Sequence, residues 1–365
     1  MQIQRKLEVY KYYIDHVLEP ISNRKRPIKD HLTNRNPLGT PPVLRDLIRE
    51  AVEKQVYEKY YNITKLTRII AEFENVCEQN VQITNGASQA ILNIITQLKP
   101  KTAIIQDLTY LDYVRICTQL NIEIRYFNTV IVNTRLLPDY DKILENLRKA
   151  DQSSTLILVN PNNPTGKYIP QRELTKIIEE CYNRNIYVIV DISFIDFQSI
   201  ETHSMIRRML EFNNVILVKS YTKIFACPGV RIGAVFSNFD KIRIVGQRWP
   251  ISSIDAYAFE KFLGEHADYA RKYIENTRRY VQEETRRVVY ELRKLGIEAY
   301  DSDVHFFVMM CDKYIDEDLY LRYGIAIRRY CETREKYKMF RISIGKREDN
   351  DYLVTAISEL VCAHQ

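Results

Sequence analysis

Short apolar runs recur along this chain at 102–106, 123–128, 155–159, 187–191, 215–219 and 232–236. Each is about strand length and is bounded by polar or turn-forming residues, the pattern of strands buried on both faces. Stretches with helical periodicity separate most of them. Strands alternating with helices predict an α/β fold, a mostly parallel sheet covered by helices on both faces. From Glu265 a charged helical pattern runs to about Leu295, where Gly296 stops it. That long helix leads into a smaller α+β domain. The expected division is 41–264 for the large domain, and 1–40 with 265–365 for the small one. No repeat, low-complexity tract or flexible linker intervenes, so close docking of the two is expected.

Composition narrows the function classes. The chain has 365 residues, enough for two cored domains. Its net charge of +6 is spread along the chain without a basic tail, which argues against nucleic acid. The apolar runs are too short to span a membrane. Met1–Lys6 lacks the apolar core of a signal peptide. The seven cysteines are scattered without a Cys-x-x-Cys pair and read as reduced residues of a cytoplasmic protein. The six histidines show no metal-ligand spacing, so no metal is expected.

The candidate chemistry centres on Lys223. Ser220 lies three residues before it and Arg231 eight after, with Pro228, Gly229 and Gly233 bracing the arginine. A lysine among hydroxyls, followed by such an arginine, looks like an anchor for pyridoxal 5'-phosphate (PLP). The amine would form a Schiff base with the cofactor aldehyde, while Ser220 and Arg231 hold its phosphate. Two further segments agree. Asn160-Pro161-Asn162-Asn163-Pro164-Thr165-Gly166 makes a rigid turn at the carboxyl end of an apolar strand, where parallel sheets bind ligands. That turn can aim the Asn163 amide at a ring oxygen. Asp191 ends the run Tyr187–Val190, where a carboxylate needs a partner. A protonated pyridine nitrogen is one; taken alone, a helix N-cap is equally good.

With these three segments in order, the chain resembles the class I/II aminotransferases, fold-type I PLP enzymes, from about Asn36 to the last helix. The resemblance implies Asn163 and Asp191 on the cofactor ring, Lys223 as Schiff base and proton shuttle, and Ser220 and Arg231 on the phosphate. It places Gly86, Ala87 and Ser88 at a helix start that receives the same phosphate. Tyr110 matches the aromatic stacked on the ring, with Tyr113 as the alternative. Arg341 matches the arginine that grips the substrate carboxylate. Arg328, with Arg329 beside it, matches a second gripping arginine in members that handle phosphorylated amines. Asn36, in Asn36-Pro37-Leu38-Gly39, is expected to touch substrate. Tyr60, or Tyr61, aligns with a tyrosine that reaches the cofactor of a second subunit, which implies a homodimer with shared sites.

Two branches are most similar. Asn36–Gly39 and Phe194-Ile195-Asp196-Phe197 resemble threonine-phosphate decarboxylases of cobalamin biosynthesis, and paired Arg328 and Arg341 resemble histidinol-phosphate aminotransferases. Phe194 stands where many aminotransferases carry a tyrosine that donates to the ring oxygen. Losing a hydrogen bond to a charged oxygen is worth roughly 1.5–3 kcal/mol. The expected substrate is therefore a small amino acid or amine bearing a phosphate, decarboxylated or transaminated. A catalytically silent PLP-fold binding module is the reading from another class.

Overall fold

The structure is a computed structural model that describes residues 28–198, 202–240, 242, 244–334 and 337–362. The expectation drawn from Met1–Lys6 lies outside the described residues. In chain order the strands are β1 (Lys29–His31), β2 (Val81–Thr84), β3 (Thr102–Gln106), β4 (Glu123–Phe127), β5 (Thr129–Val132), β6 (Arg135–Pro138) and β7 (Ser154–Val159). They continue with β8 (Tyr187–Asp191), β9 (Val215–Ser220), β10 (Gly233–Ser237), β11 (Glu298–Ala299), β12 (Phe306–Cys311), β13 (Ile325–Arg334) and β14 (Tyr337–Ser343).

A seven-stranded sheet has the order β2-β10-β9-β8-β7-β3-β4. Its strands run parallel except β10, which is antiparallel to both β2 and β9. Continuous apolar strands are what a sheet covered on both faces requires, and the side chains divide strictly by alternation. Leu156, Leu158, Val188, Val190, Val215 and Leu217 enter one core. Ile157, Val159, Ile189, Ile216 and Val218 enter the core on the other face. The second set continues into Asp191 and Ser220 at the strand ends, so both polar side chains emerge on one side.

The smaller sheet has the order β1-β13-β14-β12-β11. β1 pairs with β13 in parallel, which fastens the segment before Asn36 to the C-terminal part of the chain. The long helix spans Ala267–Lys294, and Gly296 follows with φ +76°. Its Ala270, Ile274 and Val281 enter a core of the large sheet, while Val288, Val289 and Leu292 enter the core of the small one. Among the described residues, no helix is long and apolar enough to cross a membrane.

Candidate active site

The carboxyl ends of β7, β8 and β9 converge on a cleft of about 210 Å³. It is lined by Val159 at the end of β7 and Asn163 beyond it, Asp191 at the end of β8 with Ser193 and Phe194 beyond it, and Ser220 at the end of β9 with Thr222 and Lys223 beyond it. Ala87 and Ser88 enter from the helix Gly86–Leu98, and Tyr110 from the turn before the helix Leu111–Gln119. Arg231, Arg328 and Arg341 complete the wall, with Leu32, Thr33 and Asn34 from the segment after β1.

Lys223 sits in one turn of helix, Tyr221–Ile224, directly after β9. Burial, then the charges of Arg341, Arg231 and Arg328, push its pKa down to about 8, against a smaller upward pull from Asp191. An amine so tuned exchanges protons near neutrality. Burial raises the Asp191 pKa, and hydrogen bonds oppose that rise. The Ser193 backbone N–H donates to Asp191 Oδ1 at 2.9 Å and the Tyr113 hydroxyl to Oδ2 at 3.2 Å. Tyr113 is thus engaged beneath the cleft, while Tyr110 lines it, its hydroxyl donating to Asp112 at 2.8 Å.

The helix that starts at Gly86 needs glycine there. Its φ is +71°, and a Cβ would stand 2.5 Å from Arg231 Nη2. Arg231 is thereby packed against the helix start, beside Ser88. Ser220 Oγ and Thr222 Oγ1 lie 2.9 Å apart on the same wall. Gly166 is equally constrained: with φ +69°, its Cβ would meet Ser302 Oγ at 2.0 Å. This close fit seats the asparagine turn against the chain leading into β12.

Arg341 lies on β14, buried, and crosses between the two sheets. Its Nη1 donates to Asn163 Oδ1 at 2.9 Å and its Nη2 to the Leu32 carbonyl at 2.6 Å. Arg328 is its direct cross-strand partner on β13, so both side chains share a face. Arg329 points the other way and is held by Asp316 through two bonds of 2.8 Å. Phe194 packs edge-on against Phe306, with ring centroids 5.0 Å apart. Behind it, His305 stacks on Phe197 and burial holds its pKa down to about 3, so it packs as a neutral ring.

Most of the expected residues therefore meet in one cleft, but not all. The structure does not bring Asn36 there. Its amide is spent on bracing the chain, donating to the Ile224 carbonyl at 2.6 Å and to Thr277 at 2.8 Å. The same segment reaches the cleft through Leu32–Asn34, which carry no motif of their own. Tyr60 lies on the surface, 78% exposed and stacked on Trp249 at 4.4 Å. Tyr61 is committed to its own chain, its hydroxyl donating to Glu260 at 2.7 Å. Sequence reasoning also missed the Tyr113–Asp191 bond; a second tyrosine one helical turn after Tyr110 was the available signal.

The model of the family described as aminotransferase class I and II matches residues 32–357. This chain belongs to that family. Like its relatives it is a PLP-dependent enzyme, with the fold of the type I PLP enzymes. It is 29% identical over 350 residues to the adenosylcobalamin biosynthesis bifunctional protein CobDQ of Leptospira interrogans. That match covers 92% of this chain but only 39% of the Leptospira protein, so the chain spans about two fifths of its length. It is 25% identical to the histidinol-phosphate aminotransferase of Pyrococcus furiosus, over 90% of this chain and 91% of that one. The crystal structure of L-threonine-O-3-phosphate decarboxylase from Porphyromonas gingivalis superposes with a TM-score of 0.75. It covers 91% of this chain and 98% of that one at 19% identity. The cleft suits the family cofactor. It offers a glycine-tight helix start beside an arginine for a phosphate, a buried carboxylate for a ring cation, and a buried low-pKa amine.

Proposed function

We propose that the enzyme acts on a small amino acid or amine that carries a phosphate, with decarboxylation of threonine phosphate as the leading reaction. One observation carries this reading: Lys223, Arg231, Arg328 and Arg341 line one cleft, in which Asp191 is the acid among the lining residues. Such a surplus of cations suits more than one anion. Arg231, with Ser88, Ser220, Thr222 and the N–H groups of Gly86 and Ala87, would hold the cofactor phosphate. Arg341 would then face the substrate carboxylate, and Arg328, on the same wall, would meet a second anion on the substrate.

When bound, PLP supplies an electron sink for charge left at the substrate α-carbon. Asp191 would hold a proton on the ring nitrogen. The Asn163 amide oxygen accepts from Arg341, so its N–H₂ group would be the part offered to the cofactor. Lys223 would take up or return protons at its Nζ. Phe194 brings no hydrogen-bond donor to the cleft. How Arg341 tilts the carboxylate decides which bond at the α-carbon is weakened.

A second reading has its own support. Because Arg328 and Arg341 are cross-strand partners, they can grip one phosphate together, as transamination of histidinol phosphate would require. Product analysis separates the two. Carbon dioxide from threonine phosphate without any keto acid supports the decarboxylase. Glutamate formed from 2-oxoglutarate and histidinol phosphate, with no carbon dioxide, supports the aminotransferase. Neither product from either substrate sinks the phosphate reading.

The same proposal includes a cytoplasmic homodimer, with 41–264 as the cofactor-binding domain and 1–40 with 265–365 as the small one, of which 1–27, 335–336 and 363–365 lie outside the described residues. The exposed Tyr60–Trp249 stack supports Tyr60, rather than the internally bonded Tyr61, as the residue offered to a second subunit.

A further inference from the structure

One cluster of buried charges lies outside this chemistry. The alternation that turns Ser220 toward the cleft turns Lys219 into the opposite core. Lys219 is 1% exposed, Glu74 0% and Asp196 4%. Lys219 Nζ donates to Glu74 Oε1 at 2.8 Å and to Asp196 Oδ1 at 3.0 Å. The Tyr221 hydroxyl donates to the same Glu74 oxygen at 2.8 Å. Arg278, on the long helix, donates to the Asp196 carbonyl at 2.7 Å.

Stability alone is a poor reason for this cluster. Taking charges out of water costs so much that apolar residues of similar size often serve a core equally well or better. What charge-assisted hydrogen bonds add is direction and a narrow range of distance. The carriers interleave with the cleft. Lys219 and Tyr221 alternate with Ser220 and Thr222, and Lys223 follows. Asp196 comes two residues after Phe194, in the 3₁₀ turn Ile195–Phe197 that closes the Asp191 segment. Glu74 ends the helix Thr64–Glu74 and ties both to a third element. A slip of either loop that apolar contacts would tolerate breaks at least one of these bonds. The two loops also touch directly, the Ser220 N–H donating to Ser193 Oγ at 3.1 Å.

We propose that Lys219, with Glu74 and Asp196, is a positioning triad that locks the Lys223 loop against the Asp191 turn and so sets the affinity and protonation of the bound cofactor. The proposal rests on the reading that Ser220, Lys223 and Asp191 hold PLP. Lys223→Ala tests that reading separately, through loss of covalent attachment.

The test compares the full-length protein with a charge-free variant, Glu74→Gln/Lys219→Met/Asp196→Asn, and with Lys219→Arg. Three quantities are measured: thermal midpoint, PLP affinity from titration of the cofactor-free protein, and the pH midpoint of the bound cofactor's visible band. The charge-free variant should stay folded yet bind PLP at least about tenfold more weakly, as loss of supporting contacts around a bound group does. Its band midpoint should move, and Lys219→Arg should keep both properties near wild type. A folded charge-free variant with wild-type affinity and midpoint overturns the proposal. Should that variant fail to fold, Asp196→Asn removes the charge from one arm of the triad alone. Weaker PLP binding with a shifted midpoint is expected of it, and unchanged values overturn the proposal.

Discussion

Replacing Lys223 with methionine should stabilise the cofactor-free protein. The aliphatic stem is kept and only the buried amine is lost. Burial and three arginines bring the Lys223 pKa from 10.5 down to about 8. At 1.36 kcal/mol per unit, holding the ammonium in the folded chain costs about 3 kcal/mol. The sign follows from proton counting. Between pH 8 and 10.5 the unfolded lysine keeps its proton while the folded one has lost it, so stability rises with pH through this window. The cost is full below pH 8 and relieved above it. Urea unfolding of both cofactor-free proteins at pH 7 and pH 10.5 measures this. The variant should be more stable by about 3 kcal/mol at pH 7 and by under about 0.5 kcal/mol at pH 10.5. Equal stability at pH 7, or a gap that ignores pH, would refute the idea that the cleft strains its lysine toward the neutral form.

Three further outcomes are expected. Gly86→Ala puts a Cβ 2.5 Å from Arg231 Nη2 at a φ of +71°, so it should cost roughly 1–2 kcal/mol of stability and also weaken PLP binding; calorimetric titration giving wild-type affinity would contradict this. Tyr113→Phe removes one donor from Asp191, whose pKa, already raised by burial, should rise further. The acid limb of PLP affinity against pH should then move upward, and an unmoved limb counts against the bond. Arg328→Ala should weaken binding of a phosphorylated substrate by roughly 10- to 200-fold, the loss of about 1.5–3 kcal/mol from a charged hydrogen bond, and leave its unphosphorylated analogue unaffected. Equal losses for both would remove Arg328 from the phosphate reading.

Much of this was legible in the chain because a doubly covered parallel sheet needs continuous apolar strands. The runs around Leu156, Ile189 and Ile216 announced themselves, and so did the motifs at their carboxyl ends. What stayed hidden depends on contacts made far along the chain. β5 and β6 form a half-exposed hairpin with Ile131 and Val132 on the surface, so no alternation marks them. β1 is only three residues long and becomes a strand by pairing with β13. Asn36 sits in a conspicuous turn, yet its amide is claimed by Ile224 and Thr277, about two hundred positions away. Nothing local to Lys219 reveals Glu74, which lies 145 positions earlier in the chain. The choice between Arg328 and Arg329 needed the pleat of β13 and the position of Asp316.

The helix Ala267–Lys294 has a consequence for how the molecule comes apart. Its 28 residues extend about 42 Å at 1.5 Å per residue. One end supplies Ile274 and Val281 to the core of the large sheet, the other Val288 and Leu292 to that of the small sheet, and Tyr280 packs against both. Cutting the chain at its start would strip one core of its wall, and cutting at its end would strip the other. Neither half is then a self-sufficient cassette. The two bodies should melt in a single transition, and recombination that swaps one of them would have to rebuild the helix face that serves the other.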